Sequence, residues 1–336
     1  MTLEIGAGTK VFVTGGSGFV GRALLAELRD RGAKVRALAR SDASREVVRR
    51  LGAQSVAGGL HSEDALRRGC EGCDVVFHVA AFVEDWGTRE QFHQVNVVGT
   101  HNVIEAARSA GCGTLVHVST EAVLLGSGPI VRADETRPRS PKPLGLYCET
   151  KGLAEQLVQA ASDDTLRAVI VRPRFIWGAG DTTLLPALVE ATRKKQLRWF
   201  GGGRYLTSTC HVRNVVEGML LAAEVGRGGE IYFLTDGEPV EFRTFVSSML
   251  LTQGIQPPAG GLPRPVAWLI ARLCEFLWRR VIPGGRPPLT RSILKLIGEE
   301  VTVVDDKARR ELGYTGRVTV AEGLAELVSD APEVAP

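Results

Sequence analysis

Val11-Phe12-Val13-Thr14-Gly15-Gly16-Ser17-Gly18-Phe19-Val20-Gly21-Arg22 joins a short apolar, β-branched run to a glycine-rich turn, and an amphipathic stretch follows to Arg31. Strand, glycine turn and helix start, in that order, suit a pyrophosphate. Glycines let the backbone come close, and the helix start offers the unpaired N–H groups of residues such as Phe19 and Val20 together with a positive dipole end. Gly16-x-Gly18-x-x-Gly21 matches the dinucleotide fingerprint and Gly15-x-x-Gly18-x-x-Gly21 a close variant. Gly15, Gly18, Phe19, Val20 and Gly21 are therefore candidate cofactor contacts.

Working outward, strand-like runs alternate with helical ones. Lys34–Ala39 alternates in polarity, and Gln54–Ala57 is a weaker strand. Asp74–Ala81 and Thr114–Ser119 are almost continuously apolar, as strands buried on both faces must be. Arg167–Arg172 and Glu230–Leu234 read as further strands. Helices are expected at 47–52, 62–68, 92–110 and 151–161. The pattern predicts an α/β fold, a doubly wound parallel Rossmann sheet. After Pro173 the texture shifts to shorter helices and proline-rich joints, read as a smaller C-terminal substrate lobe interleaved with the first. Residues 1–180, rejoined by about 212–236, form the cofactor domain in this reading; 181–211 and 237–330 form the lobe.

The chain has 336 residues and a formal net charge of +3, too small to argue for a nucleic-acid partner. Met1–Lys10 carries no apolar core of signal-peptide length, so a cytoplasmic location is expected. Six cysteines are scattered without a disulfide or zinc pattern, and the lone Cys70-x-x-Cys73 pair is given no metal role. Pro265–Ile282 is apolar and aromatic but interrupted by Arg272, Glu275, Arg279 and Arg280, which excludes a membrane span. A helix covering the lobe's core, a lid over an apolar substrate and a peripheral membrane contact are the alternatives there.

The second strand ends in Ala39-Arg40-Ser41, where NAD binders place an acidic residue for the ribose 2′-hydroxyl. A guanidinium suits a 2′-phosphate instead, so NADP(H) is preferred, with NAD(H) the alternative. Arg22 and Arg45 are candidates to reinforce Arg40. Tyr147-Cys148-Glu149-Thr150-Lys151 sets a phenol and an ammonium four residues apart on one helical face, which favours phenolate. Ser119-Thr120, at the end of a strand, adds a hydroxyl able to hold the same substrate oxygen.

These features together resemble the extended short-chain dehydrogenases, and within them the 3β-hydroxysteroid dehydrogenase-like group, close to bacterial 2-alkyl-3-oxoalkanoate reductases. The likeness covers nearly the whole chain. It rests on the glycine turn, His78-Val79-Ala80-Ala81, Asn96-Val97-Val98-Gly99-Thr100-His101-Asn102-Val103, Val118-Ser119-Thr120 and Tyr147-x-x-x-Lys151. Arg172-Pro173-Arg174-Phe175-Ile176-Trp177-Gly178 and Pro287-Pro288-Leu289-Thr290 complete it.

The resemblance implies Tyr147 as acid/base, Lys151 as ribose contact and tuner of Tyr147, and Thr120 as the hydroxyl, with Ser119 the fallback. Ala80 and Ala81 would line the cofactor, Pro173 would pass near the nicotinamide, and Leu60 would sit at the adenine edge. Asn96 falls where the family has a structural or cofactor-side asparagine. The family often reads Gly-Asp-Leu where this chain has Gly58-Gly59-Leu60, losing one carboxylate. Glu121 also departs from small or apolar neighbours and is expected to face solvent, the alternative being a charge placed near the substrate.

The implied reaction interconverts a secondary alcohol and a ketone on a bulky hydrophobic substrate, of sterol or long-chain 3-oxoacid type. The implied assembly is a homodimer using the 92–110 and 151–161 helices. A nucleotide-sugar epimerase or dehydratase, which needs a polar, cationic lobe, and a non-catalytic NADP-binding protein are the competing readings.

Overall fold

The computed structural model describes residues 3–126, 128–282 and 285–329. Its first unit is β1 (Lys10–Thr14), the glycine turn and α1 (Phe19–Asp30), followed by β2 (Lys34–Ala39), α2 (Asp42–Arg50), β3 (Gln54–Ala57), α3 (Glu63–Cys70) and β4 (Val75–His78). Ser41 caps α2 in a reciprocal box with Ser44, two residues after β2 ends at Ala39. α4 (Arg89–His93) and α5 (Gly99–Ser109) make one rod where a single regular helix is expected. A π turn at Gln94–Val98 interrupts it.

The chain continues with β5 (Thr114–Val118), β6 (Ile130–Ala133), α6 (Leu146–Ala160), β7 (Arg167–Pro173), β8 (Ile176–Trp177), α7 (Leu184–Arg193) and β9 (Trp199–Phe200). Then come β10 (Leu206–Thr207), β11 (Cys210–His211), α8 (Val212–Val225), β12 (Ile231–Leu234), β13 (Val240–Glu241) and α9 (Phe242–Thr252). β14 (Gly261–Leu262), α10 (Arg264–Arg280), α11 (Arg291–Ile297), β15 (Val301–Val303), α12 (Asp306–Leu312) and α13 (Val320–Ser329) end it.

Seven strands form one sheet in the order β12-β7-β5-β4-β1-β2-β3, with parallel pairing throughout. Side chains along each central strand alternate between two cores. Val11, Val13, Val75, Phe77, Val116, Val169 and Val171 meet α1, α8 and α12 on one face. Phe12, Val76, Leu115, Ala168 and Ile170 meet α3, α5 and α6 on the other. Both faces are covered, which is why these strands lack polar alternation. Strand order reverses between β1 and β4, and the carboxyl ends beside that point open the crevice where ligands bind in such sheets.

A second, four-stranded sheet, β13-β10-β15-β6, belongs to the lobe. β6 arrives from the middle of the first segment to pair with β15, Ile130 opposite Val301. The expected domain boundaries also take in residues 1, 2 and 127 of the cofactor domain and 283, 284 and 330 of the lobe, which lie outside the described residues. The lobe's core is aromatic: Trp177 and Phe245 pack edge to face at 5.0 Å, and Tyr205 stacks on Phe242 at 5.5 Å.

α10 turns Ala267, Ala271 and Glu275 inward and leaves Val266, Leu269, Ile270, Leu273 and Phe276 exposed. One face of α10 thus covers a small core, where Ala267 and Ala271 meet Leu294 with Trp268 packed beside them, and the opposite face presents large apolar side chains outward. Glu275 fastens the helix by accepting from the Arg291 backbone N–H at 2.7 Å and from Arg291 Nε at 2.8 Å. Among the described residues no helix is long and apolar enough to cross a membrane. Among those residues, too, no group of three or more His, Cys, Asp or Glu side chains is placed to hold a metal ion.

Candidate active site

A single cavity of about 840 Å³ runs along the carboxyl ends of β1, β2, β4, β5 and β7. Gly15, Gly18, Phe19, Val20 and Gly21 line one stretch of it, with Arg40, Leu60, Ala80 and Ala81 beside them. Ser119, Thr120, Tyr147 and Pro173 line the other stretch. Of the residues expected to bind or react, Lys151 is absent from the lining, as are Arg22, Arg45 and Asn96.

The glycines are required by contact. Gly15 has φ +75°, and a Cβ there would meet Ala80 N at 2.6 Å; one on Gly21 would stand 2.1 Å from Gly15 O. The turn, the first helical turn and the loop after β4 can close together only without those side chains. Gly18 caps α1 with no side-chain acceptor, so the helix start faces the cavity with donors to spare. That arrangement fits a dinucleotide phosphate.

Arg40 is exposed on the cavity wall with no carboxylate partner among the described residues. A Cβ on Gly59 would lie 3.9 Å from Arg40 Cδ, so the carboxylate missing from Gly58-Gly59-Leu60 is one that would have stood against this guanidinium. Arg22 is turned onto Ser17 O at 2.8 Å, and Arg45 is paired with Asp42.

The loop after β4 is held from beneath by a chain of buried hydrogen bonds that joins the glycine-turn, His78–Ala81 and Asn96–Val103 motifs. Thr100 Oγ1 donates to Asn96 O at 2.7 Å, so it accepts from His78 Nε2 at 2.9 Å. His78 Nδ1 then accepts from Thr14 Oγ1 at 2.7 Å, and Thr14 Oγ1 accepts from Ala80 N at 3.3 Å. Burial, with the nearby Lys151 charge, pushes His78 down to about 3, and the neutral ring matches this network. Asn96, in the π turn, grips both backbone groups of Phe82 at 2.7 and 3.1 Å and donates to Thr150 Oγ1 at 3.1 Å. Its place is structural: it ties the Ala80–Ala81 wall to the helix carrying Tyr147.

α6 begins at Gly145, whose φ is +102° and where a Cβ would meet Ser292 Oγ at 2.6 Å. This close approach seats the start of α6 against α11 and aims Tyr147 into the cavity. Lys151, 2% exposed, donates to Val118 O at 2.7 Å and lies 3.2 Å from His117 Nε2. Burial lowers its ammonium to about 8. Burial and the Glu121 carboxylate hold the Tyr147 phenol above its ordinary value, with the Thr120 hydroxyl pulling the other way. The expected push of the neighbouring ammonium towards phenolate is opposed here by burial and by Glu121, both of which raise the phenol.

Glu121 is also corrected. It is 2% exposed, not solvated, and it lines the cavity. Its Oε2 accepts from Thr120 Oγ1 at 2.8 Å, and its Oε1 pairs with Arg174 Nη1 at 3.0 Å. Phe175, in the left-handed region at φ +46°, turns the chain directly after Arg174. The rest of this stretch of wall is apolar or mildly polar: Phe175, Ile176, Thr182, Thr183, Leu184 and Leu296. The sequence marked Glu121 as a departure and Arg174 as part of a family-like stretch, but nothing in it paired the two.

Residues 12–264 match the model of the 3-beta hydroxysteroid dehydrogenase/isomerase family. The chain belongs to that family. It is 52% identical over 96% of its length, and 97% of the relative's, to a 4-hydroxy-2-methyl-3-oxo-4-farnesyl-3,4-dihydroquinoline-1-oxide ketoreductase of Stigmatella aurantiaca. It is 36% identical to a 2-alkyl-3-oxoalkanoate reductase of Stenotrophomonas maltophilia, covering 95% of this chain and 98% of that one. A sterol-4-alpha-carboxylate 3-dehydrogenase of Dictyostelium discoideum is 33% identical, over 94% and 99% of the two chains. The crystal structure of gox2253 superposes with a TM-score of 0.75 at 30% identity, over 96% and 99% of the chains. As a member of this extended short-chain dehydrogenase family, the protein is an NAD(P)-dependent oxidoreductase interconverting a hydroxyl-bearing carbon and a ketone.

Proposed function

We propose that this enzyme reduces the ketone of a bulky hydrophobic substrate, with NADP(H) preferred over NAD(H). One observation carries the proposal: the same cavity joins the glycine turn and Arg40 to Thr120 and Tyr147. The nicotinamide cofactor, when bound, supplies the hydride. The glycine turn and first turn of α1 hold its phosphates, Arg40 its 2′-phosphate, and Leu60, Ala80 and Ala81 its sides. Lys151, Pro173 and the end of β7 border the ribose and the ring.

Tyr147 donates the proton to the substrate oxygen. The ketoreductase and the 3-oxoalkanoate reductase among its relatives support the reductive direction. Thr120 orients that oxygen, with Ser119 as the neighbouring alternative. The apolar wall of Phe175, Ile176, Leu184 and Leu296 supports a hydrophobic substrate of sterol or long-chain 3-oxo type. A nucleotide sugar needs cations for its diphosphate, and Arg174, the arginine at this end of the lining, is already paired with Glu121.

The enzyme works in the cytoplasm as a homodimer through the α5 and α6 face, in keeping with its family. The outward stripe of α10, with Leu269 67% and Phe276 60% exposed among Arg272, Arg279 and Arg280, rests on an anionic membrane surface. The test is NADPH oxidation against 3-oxosteroids, long-chain 2-alkyl-3-oxoacids and simple ketones. Tyr147→Phe is expected to lower turnover by about 10²–10⁴-fold while NADPH affinity stays nearly unchanged. Substantial residual turnover would refute the role of Tyr147.

A further inference from the structure

We infer that Glu121 and Arg174 select the substrate, favouring a neutral ketone with a hydroxyl on the adjacent carbon over a ketone that carries a carboxylate. The inference rests on the proposal that the ketone oxygen sits on Tyr147 and Thr120.

Thr120 has one hydroxyl proton. Glu121 Oε2 takes it at 2.8 Å, while the Ala122 backbone N–H donates to Thr120 Oγ1 at 3.1 Å and steadies the side chain. A proton committed to a carboxylate is not available to a ketone. It becomes available when another donor satisfies Glu121. Oxygens on adjacent carbons lie about 3 Å apart, close to the length of one O–H···O bond. A substrate hydroxyl beside the ketone can therefore reach Glu121 Oε2 while the ketone oxygen meets Thr120. Such a substrate releases the hydroxyl that orients it. A plain ketone must break the Thr120–Glu121 bond with nothing in return, leaving a buried acceptor short of a donor.

Arg174 completes the discrimination. It is buried, held by Glu121, by Thr207 Oγ1 at 3.1 Å and by Leu296 O at 2.7 Å, and its Nε–H has no partner. The pair presents no net charge to the cavity. A carboxylate near the reacting carbon would meet the Glu121 carboxylate, while both terminal nitrogens of Arg174 are held by Glu121, Thr207 and Leu296. The names of two relatives differ in that chemistry. The name of the 52% identical ketoreductase puts a hydroxyl at position 4 beside its 3-oxo group, whereas the 36% identical reductase acts on a 3-oxoalkanoate.

The experiment compares kcat and KM with NADPH for three substrates of equal chain length: an α-hydroxy ketone, the plain ketone and the 3-oxo acid. Wild type should favour the α-hydroxy ketone over the plain ketone by about tenfold or more in kcat/KM, partly through kcat, with the 3-oxo acid poorest. Glu121→Gln removes the anion and exposes the Arg174 charge, so the 3-oxo acid should gain about tenfold over the plain ketone. The double variant Glu121→Met/Arg174→Met, which replaces the ion pair by apolar side chains of similar length, should lose the preference for the hydroxyl without that gain. It also carries the test if the single variant does not fold.

A wild type that reduces the 3-oxo acid as well as the α-hydroxy ketone overturns the inference, as do ratios unchanged in both variants. Either result leaves the ketone-reductase reading standing. If no ketone turns over while NADPH quenches protein fluorescence, that reading falls and takes the inference with it.

Discussion

Arg172 grips both carboxylate oxygens of Glu155, with Nε to Oε1 at 2.7 Å and Nη2 to Oε2 at 2.6 Å, the side chains being 1% and 0% exposed. One residue lies on β7 and the other on α6, so the pair fixes the helix bearing Tyr147 and Lys151 to the central sheet. Breaking such a pair leaves an uncompensated buried charge. Glu155→Ala is expected to cost about 3–5 kcal/mol in urea unfolding. Burial alone would raise the Glu155 carboxyl, but Arg172 outweighs it and holds the group below its ordinary 4.5. Its stabilising share is thus present above that value and is lost as pH falls below it. The gap between wild type and Glu155→Gln should narrow in acid; a constant gap would contradict this account.

The neutral His78 ring gives a second pH signature. Its folded value is near 3 and its ordinary value 6.5, so between these the unfolded chain binds a proton that the folded chain refuses. Stability must then rise with pH across this window, by up to about 1.4 kcal/mol per pH unit for this one group. His117, buried beside it with ring centroids 5.1 Å apart, is lowered in the same sense. His78→Gln should make the unfolding free energy less steep between pH 4 and 6 than in wild type. An unchanged slope would count against the proton assignment.

Arg40 tests the cofactor preference. Arg40→Ala should weaken NADP(H) binding about tenfold or more and leave NAD(H) nearly unchanged, because only one of them carries the 2′-phosphate. Gly59→Asp should act in the same direction by setting a carboxylate against Arg40. Equilibrium dissociation constants for both cofactors decide it, and equal values in wild type would end the NADP assignment.

The α10 stripe is tested on liposomes. Leu273→Ser combined with Phe276→Ser removes two exposed apolar side chains, and binding to anionic vesicles should drop at least about tenfold. Binding by wild type should weaken with salt, as the arginines require. A variant that keeps its vesicle affinity but loses its dimer on gel filtration would assign the stripe to a second copy of the chain.

How much of the site was legible depended on how local its cause is. Gly15, Gly18 and Gly21 are demanded by contacts within one turn, so their spacing alone carried the reading. Thr120 and Tyr147 sit at a strand end and a helix start, and both reach the cavity as expected. Lys151 was harder. Its position on the helix is set by its spacing from Tyr147, but its partner Val118 O lies on β5, thirty-three residues away in sequence.

Residue types and periodicity by themselves determined the doubly wound sheet, because strands buried on both faces must be apolar throughout and a glycine turn must separate the first from its helix. Tertiary structure alone decided the fate of the charges. A lone Glu121 after Thr120 reads as a solvated side chain; it is buried because Arg174 arrives from β7 and Leu296 and Thr207 from the lobe to share the cost of desolvation. The same holds for the second sheet, where β6 finds β15 some 170 residues on, as Arg132 N meets Thr302 Oγ1. Short strands with distant partners leave no periodic trace. The glycine turn at Val11–Arg22 marks where a phosphate is held; what the enzyme does beside it depends on side chains that only the fold brings together.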